Sequence, residues 1–182
     1  MRVFIGVPVG GRCQRQINDL LCNAVAGKRA WRWVAEEKRH LTLVFIGELT
    51  AARGAGLASR FPAVYECMKA FQYRFTSLER FPHPAARLIA LTGKLTRPMN
   101  GLVAATLGFL QRERISHDQK PFRSHITLAR TPQPRPGSAP IDVTADISLD
   151  VDRVVLYRST LERSGSAYSV LATSRLRGTG TD

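Results

Sequence analysis

A mixed helix-and-strand fold built as two related lobes is the class this sequence predicts, and three observations predict it. The first is a repeated motif: His40-Leu41-Thr42-Leu43 returns as His125-Ile126-Thr127-Leu128, about 85 residues later. The second is the order of elements around each copy, strand-helix-strand-helix-strand, with extra strands after the second copy. The third is composition: 182 residues with 44% apolar and 23% charged residues suit one sizeable domain or two intimate lobes. A repeat this long is no solenoid period, so two lobes facing one another are expected, divided at about 1–81 and 82–176 with an exchange of termini left open.

The elements follow in order. Val3 to Val9 is a β-branched and aromatic run closed by Pro8 and Gly10-Gly11, the mark of a first strand and its turn. Ile17, Leu20, Leu21, Ala24 and Val25 recur at helical spacing within Arg12 to Ala26, and Gly27 is a stop. Trp31 to Val34 leads into the first motif strand, Arg39 to Gly47. Thr50 to Lys69 carries a helical pattern through Leu57, Phe61, Val64, Tyr65 and Met68, interrupted by Pro62. Phe71 to Phe81 alternates aromatic and polar residues and predicts a half-buried strand ending at Pro82-His83-Pro84. Arg87 to Thr92 predicts a strand, Pro98 to Ile115 a helix and Ser124 to Arg130 the second motif strand. Thr131 to Pro140 is too rich in proline for regular structure and reads as a surface excursion. Two closing strands are expected, Ile147 to Arg158 and about Ser166 to Leu176, joined through Glu162-Arg163-Ser164-Gly165 as a hairpin. The tail after Leu176 reads as frayed.

Charge narrows the partners. Lys and Arg number 27 against 14 Asp and Glu, a net +13, so the field attracts polyanions such as RNA, DNA or phosphorylated metabolites. An Arg-rich composition accounts for such a charge equally well, so charge alone decides little. Cys13, Cys22 and Cys67 are odd in number and lack Cys-x-x-Cys spacing, which argues against a disulfide framework or a zinc site and for a reduced cytoplasm. The first residues offer about five consecutive apolar positions, far short of the roughly 20 that span a bilayer, so no membrane segment is expected.

The motif pair carries the chemistry. In a strand, residues two apart share a face, so His40 and Thr42 project together, as do His125 and Thr127. An imidazole near pKa 6.5 moves protons at neutral pH, and a hydroxyl beside it donates to a bound anion. One His-x-Thr is ordinary strand sequence; two in equivalent places supply an acid, a base and a donor beside each. Such a set performs in-line attack of water on a phosphodiester without a metal, and a strained 2′,3′-cyclic phosphate at an RNA end is the easiest substrate. Lys38, Arg39, Lys120, Arg123 and Arg130 are the cations nearest the motifs, with Arg130 best placed to reach the phosphate. Phe45, within the first motif strand, joins Arg123 and Arg130 as a candidate substrate contact. His83 and His117 lack this context and fall in loops.

At these residues the chain resembles the 2H phosphoesterase superfamily, and more narrowly the bacterial and archaeal RNA 2′,3′-cyclic phosphodiesterases, also called 2′-5′ RNA ligases. The resemblance rests on Arg2 to Pro8, His40 to Glu48, Pro121 to Arg130 and Val155 to Ser159. It implies an α+β bilobal 2H phosphoesterase fold over 1–182, with an antiparallel sheet in each pseudo-symmetric lobe, helices outside and a cleft between. It implies His40 as proton donor, His125 as proton acceptor, Thr42 and Thr127 as phosphate-binding hydroxyls, no cofactor and no metal. The implied product is a 2′-phosphomonoester; the implied partners are RNAs with cyclic-phosphate ends, tRNA fragments among them, handled by a cytoplasmic monomer. One departure stands out: the family commonly has Asn and an apolar residue before the first motif, where this chain has Lys38-Arg39. Arg39 should then point away from the cleft.

Three other readings compete. A 2′-5′ ligase or phosphodiesterase, or a small cyclic-nucleotide phosphodiesterase, would use the same residues on another substrate. A non-catalytic RNA-binding module would use the basic face and exposed aromatics. A two-histidine metal site lacks a placed carboxylate or cysteine to complete it.

Overall fold

Alternation of buried and solvent-facing side chains is clearest in β4 (Phe71–Phe81), where Tyr73, Phe75 and Leu78 are fully buried between polar neighbours. The computed structural model describes residues 1–24, 31–132, 141–162 and 165–178. Its other strands are β1 (Arg2–Pro8), β2 (Arg32–Trp33), β3 (His40–Glu48), β5 (Leu88–Thr92), β6 (His125–Arg130), β7 (Asp142–Val151), β8 (Arg153–Glu162) and β9 (Gly165–Arg175). Among the described residues they form one continuous sheet in the order β7-β4-β5-β6-β3-β1-β8-β9, with β2 added on β6. Every strand pair in it is antiparallel. The expected sheet per lobe is therefore a half of a single sheet, and the seam is β3 against β6, joined at Leu41 and Ile126. The halves do not follow chain order, since β1 and β3 lie with β8 and β9, while β4 to β7 form the other half.

Three helices lie on this sheet: α1 (Gly11–Ala24), α2 (Ala51–Arg60) and α3 (Arg97–Arg112). Thr96 caps α3, its hydroxyl oxygen accepting from the Met99 amide at 3.4 Å, and Met99, Leu102, Phe109 and Leu110 turn inward at helical spacing. Although α1 follows β1, it packs against β7 in the opposite half, where Gln16 Oε1 accepts from the Ser148 amide at 3.2 Å. In return α3, which follows β5, packs against β3. These two helices thus cross the seam and tie the halves together.

Two expectations need correction. The helical pattern over Thr50 to Lys69 forms a helix only as far as Arg60, then a 3-10 turn at Phe61–Ala63. Pro62 cannot donate to the ladder, and Phe61 and Tyr65 instead bury fully, the Phe61 ring 5.9 Å from that of Phe109 on α3. The segment Ile147 to Arg158 is two strands, broken at the exposed Asp152. One continuous strand cannot serve both, because β7 pairs with β4 and β8 with β1. The proline-rich excursion over 133–140, the stop at Gly27, the hairpin turn at Arg163-Ser164 and the last four residues all lie outside the described residues. His83 and His117 lie outside strands and helices.

Candidate active site

The two motifs meet at the seam. Leu41 and Ile126 are antiparallel partners and both are fully buried, so the residues on either side of them project from the opposite face. One step along that register sets His40 across from Thr127 and Thr42 across from His125, a square of four polar side chains on adjacent central strands. The neighbouring strands repeat the arrangement. On β1, Pro8 sits opposite His40 and Gly6 opposite Thr42; on β5, Thr92 sits opposite His125 and Ala90 opposite Thr127. A small residue thus flanks each threonine.

Both imidazoles are anchored identically. His40 Nδ1 lies 2.7 Å from the Lys38 carbonyl and His125 Nδ1 lies 2.8 Å from the Arg123 carbonyl, each two residues upstream. A carbonyl can only accept, so Nδ1 carries the proton and Nε2 of the neutral ring presents its lone pair. Each ring is also packed. His40 lies 4.8 Å from the Phe4 ring and edge-on to Tyr168 at 5.2 Å. His125 stacks on Phe81 at 4.0 Å and 16°, and the Arg123 guanidinium lies 4.7 Å from the same Phe81 ring.

This packing sets the titration. Burial pushes the pKa of His40 below its ordinary value; the bond to Lys38 opposes that, and the nearby His125 lowers it further. Burial likewise lowers His125, against the bond to Arg123 and together with the Arg123 charge. Both rings are therefore held toward the neutral form, able to accept or pass on a proton near neutral pH.

Phe45 and Arg130 reach this face by a device that simple alternation hides. Each lies five residues past its histidine, an odd spacing that would send it to the other face. The register slips by one residue between Ile5↔Val44 and Gly6↔Thr42, and equally between Ile89↔Ala129 and Ala90↔Thr127. These equivalent bulges, at Leu43 and Leu128, turn Phe45 and Arg130 onto the side of the histidines. Phe45 is 53% exposed there, with its ring 5.9 Å from Phe4, and Arg130 is exposed at the end of β6. Arg123 is held at the rim, its Nη1 donating to the Pro82 carbonyl at 3.0 Å.

Arg39 points away from the histidines, as the alternation predicts, but into the protein and not into solvent. It is 8% exposed. Its Nη1 donates to Asn18 Oδ1 at 2.8 Å and its Nε to the Val34 carbonyl at 3.2 Å, and Asn18 Nδ2 donates to Glu36 Oε1 at 2.7 Å. The Val34 amide donates in turn to the Leu128 carbonyl on β6 at 2.8 Å.

Several residues around this site were not singled out from the sequence as part of it: Phe4, Gly6, Phe81, Tyr157 and Tyr168. A glycine inside a strand pattern signals close backbone approach, and Gly6 fits: a Cβ there would fall 2.8 Å from the Leu41 carbonyl oxygen and 3.5 Å from His40 Cδ2. The aromatics gave no such signal, because they come from strands distant in sequence. No group of three or more His, Cys, Asp or Glu among the described residues is arranged to hold a metal ion, and no described helix is long and apolar enough to cross a membrane.

An antiparallel α+β sheet bearing two His-x-Thr strands side by side defines the 2H phosphoesterase class. Within it, this chain belongs to the 2′-5′ RNA ligase superfamily, which matches residues 15–163. Among curated relatives, an RNA 2′,3′-cyclic phosphodiesterase of Geobacillus stearothermophilus is 30% identical over 96% of this chain, which spans 57% of that protein's length. One of Thermus thermophilus is 31% identical over 82% of this chain and 78% of its own. The crystal structure of TT0787 of Thermus thermophilus superposes with a TM-score of 0.79 at 25% identity, covering 98% of this chain and all of that one.

Proposed function

We propose that this protein hydrolyses 2′,3′-cyclic phosphodiester ends of RNA to 2′-phosphomonoesters without a metal, in one domain whose two sheet halves flank the site as lobes of a cleft. The observation that carries this reading is the square of His40, Thr42, His125 and Thr127, with both imidazoles anchored through Nδ1 to a carbonyl. The names of its relatives point the same way.

The scheme is in-line displacement. His125 Nε2 takes a proton from water as it attacks phosphorus, and His40, protonated, gives its proton to the departing 3′ oxygen. The 2′ oxygen keeps the phosphate. Thr42 and Thr127 donate to the nonbridging oxygens, where charge develops, and Arg130 supplies positive charge at the same face. The depressed pKa of both rings suits His125 as base; His40 carries its second proton before the reaction, a form that the bound phosphate anion beside it favours. A 5′-hydroxyl in place of water would give ligation by the same route, which the superfamily's description as 2′-5′ RNA ligases favours as the second reading.

The test is turnover of an oligonucleotide ending in a 2′,3′-cyclic phosphate, with the product identified as a 2′- or 3′-phosphate. His40→Ala and His125→Ala should each lower kcat by about 10²–10⁴-fold, while a chelator leaves the rate unchanged. Full activity in either variant refutes the scheme.

A further inference from the structure

Beside His125, on the side away from β3, lies an open cavity of about 370 Å³ whose lining includes Glu79, Phe81, Lys94, Leu95, Phe122 and Arg123. Its volume is that of a small-ligand site. It meets the catalytic square at Phe81, the ring on which His125 stacks, and at Thr92, the partner of His125 across β5 and β6.

Among the described residues, Glu79 is the only acidic side chain that lines it. In a chain with a net charge of +13, a carboxylate beside a phosphate site opposes the anion. No ion pair joins it to Lys94 or Arg123, and among the described residues no hydrogen bond reaches it. It also stands directly opposite Asp142 on β7, a like-charge pair that destabilises an antiparallel ladder. The sheet half around His40 has nothing equivalent: the row Thr127, Ala90, Glu79, Asp142 corresponds there to Thr42, Gly6, Val155, Thr173. A local rule broken on one side of a symmetric site, with no compensating contact, marks a functional position.

A carboxylate only accepts, so it selects a ligand edge made of donors. Among the bases of RNA, guanine presents two adjacent donors, N1–H and N2–H. Cytosine and adenine set one amino group beside a ring acceptor, and uracil flanks its single N–H with two carbonyls. Phe122 and Leu95 supply apolar walls for a base, and Lys94 and Arg123 at the rim suit ribose and phosphate oxygens.

We propose that this cavity is a guanine-selecting subsite for the nucleotide bearing the cyclic phosphate, with Glu79 accepting from N1–H and N2–H of the base. The subsite rests on the phosphodiesterase reading above. The test compares kcat/KM of the full chain on the four nucleoside 2′,3′-cyclic phosphates. Guanosine should exceed uridine by about tenfold or more, as a bidentate base contact does. Glu79→Gln should abolish that advantage, bringing guanosine and uridine to similar kcat/KM, and Asp142→Asn, which relieves the ladder without entering the cavity, should preserve it. Equal rates in the wild type, an unchanged preference in Glu79→Gln, or an equal loss in Asp142→Asn would overturn the subsite. Should neither a cyclic nucleotide nor an oligonucleotide ending in a 2′,3′-cyclic phosphate be hydrolysed, the phosphodiesterase reading fails by itself. The subsite is then decided by equilibrium binding: guanosine 2′-monophosphate tighter than uridine 2′-monophosphate by about tenfold, lost in Glu79→Gln, upholds it. Equal affinities reject it.

Discussion

Gly6 sets how closely β1 can approach the strand that carries His40. β1 runs close alongside β3 there, so that a Cβ would clash with the Leu41 carbonyl oxygen at 2.8 Å while only touching the imidazole at 3.5 Å. Gly6→Ala should therefore force β1 and β3 apart locally and move His40 off its line to the phosphate. A displacement of that kind, on the order of 1 Å, costs up to about 10²-fold in rate. The expected result is a kcat lowered by about ten- to a hundredfold with KM little changed, measured on a cyclic-phosphate-ended oligonucleotide. A KM effect alone would mean that Gly6 shapes binding and not the proton-transfer geometry. Cys13 makes a useful contrast: it is buried and its thiol is pushed up to about 12, chiefly by desolvation, so it is an inert packing residue.

Between β2 and β3, the short 3-10 turn Glu36–Lys38 ends in the carbonyl that holds His40 Nδ1. Arg39 fastens that turn from behind through Asn18 and Val34, and Val34 is bonded to β6. The same guanidinium therefore braces the His40 anchor and the β2 segment that bridges the seam. Arg39→Met keeps the stem's volume but leaves Asn18 Oδ1 and the Val34 carbonyl without that donor, a loss of about 1–3 kcal/mol of stability. If Arg39 acts only as packing, the pH–rate profile keeps its shape. If it positions His40, loosening the Lys38 bond removes the contact that raises the His40 pKa, and the limb belonging to that ring moves to lower pH. The readout is the pH dependence of kcat beside a thermal melt.

Across the whole molecule, the two half-buried imidazoles couple stability to pH. Both hold a pKa below the ordinary value of about 6.5, so in acid the unfolded chain binds protons that the folded chain resists. Stability is unaffected well above that value, falls as pH drops through it, and stops falling from this cause once the folded pKa values are passed. Asp118 and Asp146 are held below the usual carboxylate range by Lys120 and Arg74, and their contribution is lost only below about pH 4. Thermal melts between pH 7.5 and 5 should thus show a declining Tm in the wild type and a flatter line in His40→Asn/His125→Asn. An equal slope in both proteins would place the dependence elsewhere.

Much of this was legible in the chain itself. The His-x-Thr repeat and its strand periodicity marked both pairs of candidate site residues, because a spacing of two dictates a shared face wherever the strand lies. The span of β4 and the direction of Arg39 follow from the same alternation, and the α3 helix from its apolar spacing. Local pattern carried no information on partners. That β3 meets β6 at one antiparallel step, that bulges at Leu43 and Leu128 bring Phe45 and Arg130 to the site, and that Phe4, Tyr157 and Phe81 wall it are consequences of pairing between strands far apart in sequence. The sequence determined which side chains could move a proton; only the tertiary structure decided which of them stand together, because register across a sheet is set by the strand on the other side.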